Sequence, residues 1–143
     1  MLSALSLGAT LYMPATRPDL WQVVNGEKYP ELRSLVICLE DAVSEHEVEA
    51  AKVNLKHLLQ QVQDQPRQAQ HPKIFIRPRH IAMAEELAQW PELIMADGMV
   101  LPKFCLNQLR QWQQILPDFI QVMPTLEDAE AFDMGAMREL RQA

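Results

Sequence analysis

The stretch LVICLEDAV, residues 35–43, places an apolar β-strand pattern directly before two acidic residues and the start of a helix. Its first five residues are apolar, which is typical of a parallel strand buried on both faces. Glu40 and Asp41 follow at once, where a chain leaving a sheet usually carries turn residues. Ser44, with Glu47 three residues later, has the spacing of a capping box. The stretch therefore predicts a strand, an acidic strand end and a helix in succession.

The same order repeats along the chain. Four further apolar segments rich in strand-forming residues are ATLYM (9–13), KIFI (73–76), GMVL (98–101) and FIQVM (119–123), and the opening strand, at residues 34–39, is second in order. Apolar residues recur after each at helical spacing of three and four. Five alternating strands and helices predict an α/β fold with a parallel sheet. We expect one domain over residues 1–143, with the glutamine-rich segment 61–72 as an exposed loop.

Composition argues against several classes of protein. The net charge is −6 and no basic run is present, which argues against nucleic-acid binding. Cys38 and Cys105 lie in apolar segments without metal-site spacing. No segment approaches the roughly 18 apolar residues of a membrane span, and the N-terminus lacks the basic region of a signal peptide. We therefore expect a cytoplasmic protein without nucleic-acid or membrane partners.

Every predicted strand ends beside charged residues. In parallel α/β folds, ligands bind at the carboxyl ends of the strands, an edge that we call the rim. Basic side chains there suit a carboxylate or phosphate ligand, and carboxylates suit a hard cation such as Mg²⁺. The sequence therefore predicts a site for a metal and an anion. The charged residues at the strand ends are Arg17, Glu40, Asp41, Arg77, Arg79, Lys103 and Glu127.

These charges also have structural interpretations. Glu127 could stabilise a helix N-terminus without binding a metal, with Thr125 as the cap of the last helix. Arg77 could form a structural ion pair with Glu40. His80 lies near the rim in sequence, although a structural role is the more common one for such a histidine. The sequence pattern alone leaves these alternatives open.

Five segments in order resemble motifs of one enzyme family. The segments LYMPATRPD (11–19), VICLEDAV (36–43), IRPR (76–79), GMVLPK (98–103) and PTLEDA (124–129) are similar to LFVPGNRPD, VILDLEDAV, VRVN, GIVLPK and PLIETA. Those motifs are typical of the citrate lyase beta-subunit and 2-keto acid aldolase group, which includes malyl-CoA lyases. Cys38 and Arg79 stand where the family patterns have aspartate and asparagine.

The resemblance implies a (β/α)₈ TIM barrel that binds Mg²⁺ and cleaves or forms a C–C bond beside a carbonyl. The implied substrate is a keto or hydroxy acid, either free or as a CoA or acyl-carrier thioester. Arg77 would grip the substrate carboxylate and Glu127 would be a metal ligand. Glu40 and Asp41 would support the arginine and the metal-bound waters as part of the catalytic apparatus. The remaining substrate-binding residues would be Arg17, Arg79 and Lys103.

Length separates this chain from a full barrel. Eight β/α units need roughly 200 residues or more, whereas the five predicted units occupy all 143 residues. We therefore expect an incomplete barrel, from a fragment, a shortened family member or a split protein, that forms a homo-oligomer or is completed by another chain. Because one carboxylate supplies little of the octahedral coordination of Mg²⁺, we do not expect turnover by the chain alone. The alternative function is a noncatalytic ligand-binding or partner subunit.

Overall fold

The computed structural model describes residues 3–142, which contain one five-stranded parallel sheet. All five predicted strands are confirmed, with ends within two residues of the predicted ones. No helix in the described range is both long and apolar enough to cross a membrane. The strands are β1 Thr10–Pro14, β2 Ser34–Cys38, β3 Lys73–Arg77, β4 Gly98–Leu101 and β5 Gln121–Pro124. The α-helices are α1 Leu20–Val24, α2 Val48–Asp64, α3 Ile81–Ala88, α4 Leu109–Ile115 and α5 Met134–Gln142.

The strands are hydrogen-bonded in their order along the chain, β1-β2-β3-β4-β5. Sequential order, with right-handed crossovers, returns each connecting helix to the same face of the sheet. The main core accordingly joins Leu35 and Ile37 of β2 to Leu55 and Leu59 of α2. This arrangement is that of a barrel rather than of a doubly wound sheet. Within residues 3–142 the sheet is open, because β1 pairs only with β2 and β5 only with β4.

The opposite face of the sheet, which we call the inner face, carries a smaller apolar cluster. Val36, Phe75 and Val100 are each at most 1% exposed and pack with Leu7 and Met123. Because side chains alternate along a strand, Arg77 lies on the same face as Phe75, two residues nearer the carboxyl end. The inner face therefore ends at the rim in a charged residue.

Two predicted helix starts are wrong. Ser44 does not form a capping box: its hydroxyl donates to the Glu47 carboxylate, the chain makes a 3₁₀ turn at Glu45–Glu47, and α2 begins only at Val48. This helix runs on to Asp64, so the predicted loop 61–72 begins later than expected.

Thr125 is not a helix cap either. Its hydroxyl donates to the Leu101 carbonyl at 2.8 Å, and the Asp128 side chain accepts from the Ala129 N–H at the start of a 3₁₀ turn. In both places a 3₁₀ turn intervenes between the polar residue and the α-helix, so the predicted caps lie outside the first helical turn.

Candidate functional site at the rim

The rim collects side chains from four strand ends. Arg77 is the last residue of β3, and the other charged residues follow β2, β4 and β5 by two to three residues. The side chain of Arg77 contacts three carboxylates: Nε donates to Glu40, and Nη2 lies 2.9 Å from Glu127 Oε1 and 3.5 Å from Asp41 Oδ2. We call Arg77, Glu40, Asp41, Lys103 and Glu127 the Arg77 cluster.

Arg77 is charged and held almost entirely inside the protein. Its side chain is 10% exposed and that of Glu40 is 6% exposed. Burial lowers the pKa of the guanidinium, but the hydrogen bond and the charge of Glu40, with smaller effects from Glu127 and Cys38, outweigh it and leave the pKa above its ordinary value. Arg77 therefore keeps its positive charge at the end of β3, surrounded by the carboxylates of the cluster.

One amino group of Arg77 is left for a ligand. Nε and Nη2 are occupied by the three carboxylates, whereas Nη1 has no hydrogen-bond partner within residues 3–142. The Arg77 side chain is not fully enclosed, because 10% of it remains exposed. A guanidinium has five N–H donors, and two of them here remain available to an incoming carboxylate.

The Glu127 carboxylate is fixed through one oxygen. Oε1 accepts from Arg77 Nη2 at 2.9 Å and from the Lys103 backbone N–H at 3.1 Å. The Thr125 hydroxyl lies 3.2 Å from the same oxygen, although its one proton has a closer acceptor in the Leu101 carbonyl at 2.8 Å. In the described part of the chain the other oxygen, Oε2, has no hydrogen-bond partner. The carboxylate is thus oriented with one oxygen open.

A cavity of about 340 Å³ adjoins the Arg77 cluster. Its lining residues are Glu40, Asp41, Val43, Arg79 and Lys103. Arg79 holds the loop after β2, because Nη1 donates to the Val43 carbonyl at 3.0 Å and to the carbonyls of Leu39 and Glu40 at 3.4 Å. The Lys103 side chain is 67% exposed, and its Nζ lies 3.8 Å from Glu40 Oε1.

Two larger cavities have none of the rim charges in their lining. One of about 610 Å³ lies at the amino end of β1, and one of about 580 Å³ lies beside Trp112 of α4 with a largely apolar lining. Cavity volume alone would therefore not select the charged site. We take the rim as the candidate site because the titratable groups converge there.

Six of the seven predicted rim charges lie together. The exception is Arg17, whose guanidinium forms a two-bond ion pair with Asp19 at 2.8 Å. Asp19 also contacts Lys28, so this group forms a separate ionic network at the start of α1. His80 has a structural contact: its Nδ1 accepts from the Met83 N–H and caps α3.

Sequence reasoning missed two contributions to the site. Thr125 was assigned to a helix cap, although it lies only two residues from Glu127 and its hydroxyl lies 3.2 Å from that carboxylate. The backbone of Lys103 is the other, and only its side chain was predicted to matter. Spacing within PTLEDA was a usable signal for Thr125, whereas a backbone N–H carries no sequence signal.

The donor set accommodates Mg²⁺ only in part. Within residues 3–142 no group of three His, Cys, Asp or Glu side chains is close enough to hold a metal ion. However, Mg²⁺ is commonly bound by one or two carboxylates, with waters and substrate oxygens in the other positions. The open Oε2 of Glu127 fits one such position.

The sequentially wound parallel sheet, with its helices on one face and its charges at the carboxyl edge, defines a protein of the (β/α)-barrel class. Residues 1–143 match the family model described as C–C bond lyase of the TIM-barrel fold. The chain therefore belongs to this family of C–C bond lyases. A search of the curated proteins found no match.

Proposed function

We propose that this chain provides the carboxylate-binding and metal-binding rim of a Mg²⁺-dependent lyase of the citrate lyase beta-subunit type. The substrate would be a keto or hydroxy acid, free or as a CoA or acyl-carrier thioester. The observation that carries this proposal is the Arg77 cluster, in which a buried guanidinium keeps one amino group free beside a carboxylate with a free oxygen.

Arg77 has the geometry needed to bind a carboxylate. Arginine binds carboxylates through pairs of N–H groups in a fixed plane, and Nη1 offers two such groups. Glu40 fixes the guanidinium through Nε, so little freedom is lost when a ligand binds. Arg79 and Lys103, beside the adjoining cavity, would contact a second polar group of the substrate.

Charge balance at the rim supports a metal together with an anion. Three acidic residues (Glu40, Asp41 and Glu127) face three basic ones (Arg77, Arg79 and Lys103), so the site is close to neutral before any ligand binds. An anionic substrate alone would leave the site negative. A divalent cation would balance both the substrate carboxylate and the charge that develops during cleavage.

In retro-aldol cleavage the substrate hydroxyl gives its proton to water and becomes a carbonyl as the C–C bond breaks. The electron pair of that bond remains on the carbon beside the other carbonyl as an enolate, which then takes up a proton from water. Bound at Glu127 Oε2, Mg²⁺ would supply a Lewis acid that stabilises this negative charge. Arg77 would hold the substrate carboxylate and so fix the orientation of the breaking bond. Glu40 and Asp41 would keep the guanidinium in place.

A retro-aldol screen tests this proposal. Free 2-keto acids and hydroxy-acid CoA thioesters would be incubated with the protein, with and without Mg²⁺, and the carbonyl product measured. For the assembled protein, and not for the single chain, we expect Mg²⁺-dependent product that is lost in Glu127→Ala and kept in Glu130→Ala, a matched change at an exposed residue of the next turn. Equal product from both variants would contradict the metal assignment.

One observation favours the alternative, a noncatalytic ligand-binding or partner subunit. Arg77 is locked to Glu40 by a buried ion pair, which is also what a structural role requires. The retro-aldol screen distinguishes the lyase from the noncatalytic subunit. A noncatalytic subunit would bind 2-keto acids at Arg77 without releasing any product, with or without Mg²⁺.

A further inference from the structure

Lys103 has a backbone conformation that residues with side chains rarely adopt. Its φ angle is 47°, in the left-handed region. Among the non-glycine residues in the range 3–142, only Lys103 and Tyr29 have a positive φ. Such a conformation is unfavourable for an L-residue and persists only where surrounding contacts impose it. Lys103 has this conformation at the rim.

The contacts that impose the left-handed conformation on Lys103 join the segments that follow β4 and β5. Beyond the strand ends, the Thr125 N–H donates to the Leu101 carbonyl at 3.0 Å, and the Phe104 N–H donates to the Thr125 carbonyl at 3.0 Å. The Thr125 hydroxyl adds a bond to the Leu101 carbonyl at 2.8 Å. Leu101 and Phe104, on either side of this segment, are both hydrogen-bonded to Thr125. The chain must therefore turn sharply at positions 102 and 103.

This turn directs the Lys103 N–H at Glu127. The N–H donates to Oε1 at 3.1 Å, the same oxygen that accepts from Arg77 Nη2 at 2.9 Å. These two donors match the two lone pairs of Oε1, so a ligand is expected to bind the carboxylate through Oε2. The Lys103 side chain, in contrast, is 67% exposed, with its ammonium 3.8 Å from the nearest carboxylate oxygen.

We propose that Lys103 is a positioning residue: its left-handed backbone fixes the Glu127 carboxylate so that Oε2 faces a divalent cation. The role belongs to the backbone N–H and not to the ammonium group. The cation in this inference rests on the proposed function, whereas the contact between Lys103 and Glu127 does not. Loss of a group that orients a metal ligand typically weakens metal binding by about 10-fold to 100-fold.

Amide hydrogen exchange tests the contact without any metal. In Glu127→Ala the Lys103 N–H loses its acceptor, and we expect its exchange to accelerate by about tenfold or more, since protection reflects hydrogen bonding. The Thr125 amide, which bonds Leu101 and not Glu127, should keep its rate and so reports that the fold is intact. An unchanged rate at Lys103 would overturn the proposal.

Two substitutions at Lys103 separate backbone from side chain. Asn and Val both remove the ammonium group, but Asn tolerates the left-handed region and β-branched Val does not. With Mn²⁺ binding followed by electron paramagnetic resonance, we expect Lys103→Asn to keep the wild-type affinity within about twofold and Lys103→Val to weaken it by about 10-fold or more. Equal affinities in the two variants would overturn the proposal.

Tyr29 provides the matched control. It has φ 59° and lines the cavity at the amino end of β1, away from the rim. Tyr29→Val imposes the same backbone strain there, so it should leave Mn²⁺ binding by the folded protein unchanged. If Tyr29→Val weakened binding as much as Lys103→Val, general destabilisation would explain both. Absence of Mn²⁺ binding in the wild type would contradict the proposed function, and the exchange rates would still decide the contact.

Discussion

Arg77 and Glu40 form an ion pair that is nearly sealed from water. Replacing one partner of a buried pair leaves the other charge without compensation, which typically destabilises a protein by about 3–5 kcal/mol. We expect Arg77→Met to lower the free energy of unfolding by about that amount in urea denaturation. The double variant Arg77→Met with Glu40→Met should recover most of it, since apolar replacements of similar size are often nearly neutral. Wild-type stability in the single variant would contradict the buried pair.

Asp19 should make the stability of the protein depend on pH, with less stability at low pH. Hydrogen bonds from Arg17 and then Lys28 hold the pKa of its carboxyl well below the usual range. A depressed folded-state pKa contributes stability that is fully present above the unfolded value of about 3.9 and is lost as the pH falls from there through the folded-state pKa. The difference in thermal midpoint between wild type and Asp19→Asn should therefore shrink only below about pH 4, so that it is smaller at pH 3 than at pH 7 without vanishing. A constant difference would exclude this ion pair as its source.

At the residue scale, the strand-end charges were predictable because parallel strands bring their carboxyl ends to one edge. Arg77, Glu40 and Glu127 meet as that rule requires. Arg17 does not join them, because Asp19 two residues later offers a local partner. Such local pairing depends on side-chain geometry that no strand pattern contains.

Gly98, the first residue of β4, shows how tightly the sheet is packed. A Cβ at this position would collide with the Phe75 ring of the inner face and would lie 2.7 Å from the Gln121 carbonyl. We expect Gly98→Ala to destabilise the protein by about 1–3 kcal/mol, the usual range for overpacking. Gly135→Ala in α5 is the control, since its nearest neighbour is a single side-chain oxygen at 3.0 Å. Equal effects of the two substitutions in denaturant would contradict this packing.

At the scale of elements, strands were predicted better than helix starts. Each strand is a short apolar run bounded by polar residues or proline, and this signal is local. The starts of α2 and the last helix were misplaced because 3₁₀ turns at Glu45–Glu47 and Ala129–Phe132 precede them. Ser44 and Thr125 consequently bond groups other than a helix N–H. Whether a polar residue caps a helix is decided by backbone geometry over several residues.

The open sheet edges are the main feature of the whole described chain. β5 has no second partner strand among residues 3–142, and its Val122 is 53% exposed. Such an edge favours association, so we predict that light scattering shows a mass above the 16.4 kDa of one chain. Val122→Lys should shift the population toward monomer, whereas Val53→Lys, at a 56% exposed residue of α2, should not. A monodisperse wild-type monomer would contradict this prediction.

For the molecule as a whole, the sequence predicted the α/β class, and the motif resemblance predicted the barrel. Apolar strand runs indicate burial on two faces but do not say what covers each one. In the structure the helices cover one face, and a small cluster around Phe75 occupies the other. That distinction follows from strand order, which depends on contacts between distant segments.

The central claim is that the rim binds a divalent cation and a carboxylate together. Two ligands bound next to each other change each other's affinity by the same factor, and opposite charges make that coupling favourable. Mn²⁺ titration with and without pyruvate, as a simple 2-keto acid, is therefore the most direct measurement. We predict that pyruvate tightens Mn²⁺ binding by about fivefold or more, and that Glu127→Gln abolishes this effect while Glu130→Gln does not. Mn²⁺ binding that is unaffected by both pyruvate and Glu127→Gln would contradict the claim.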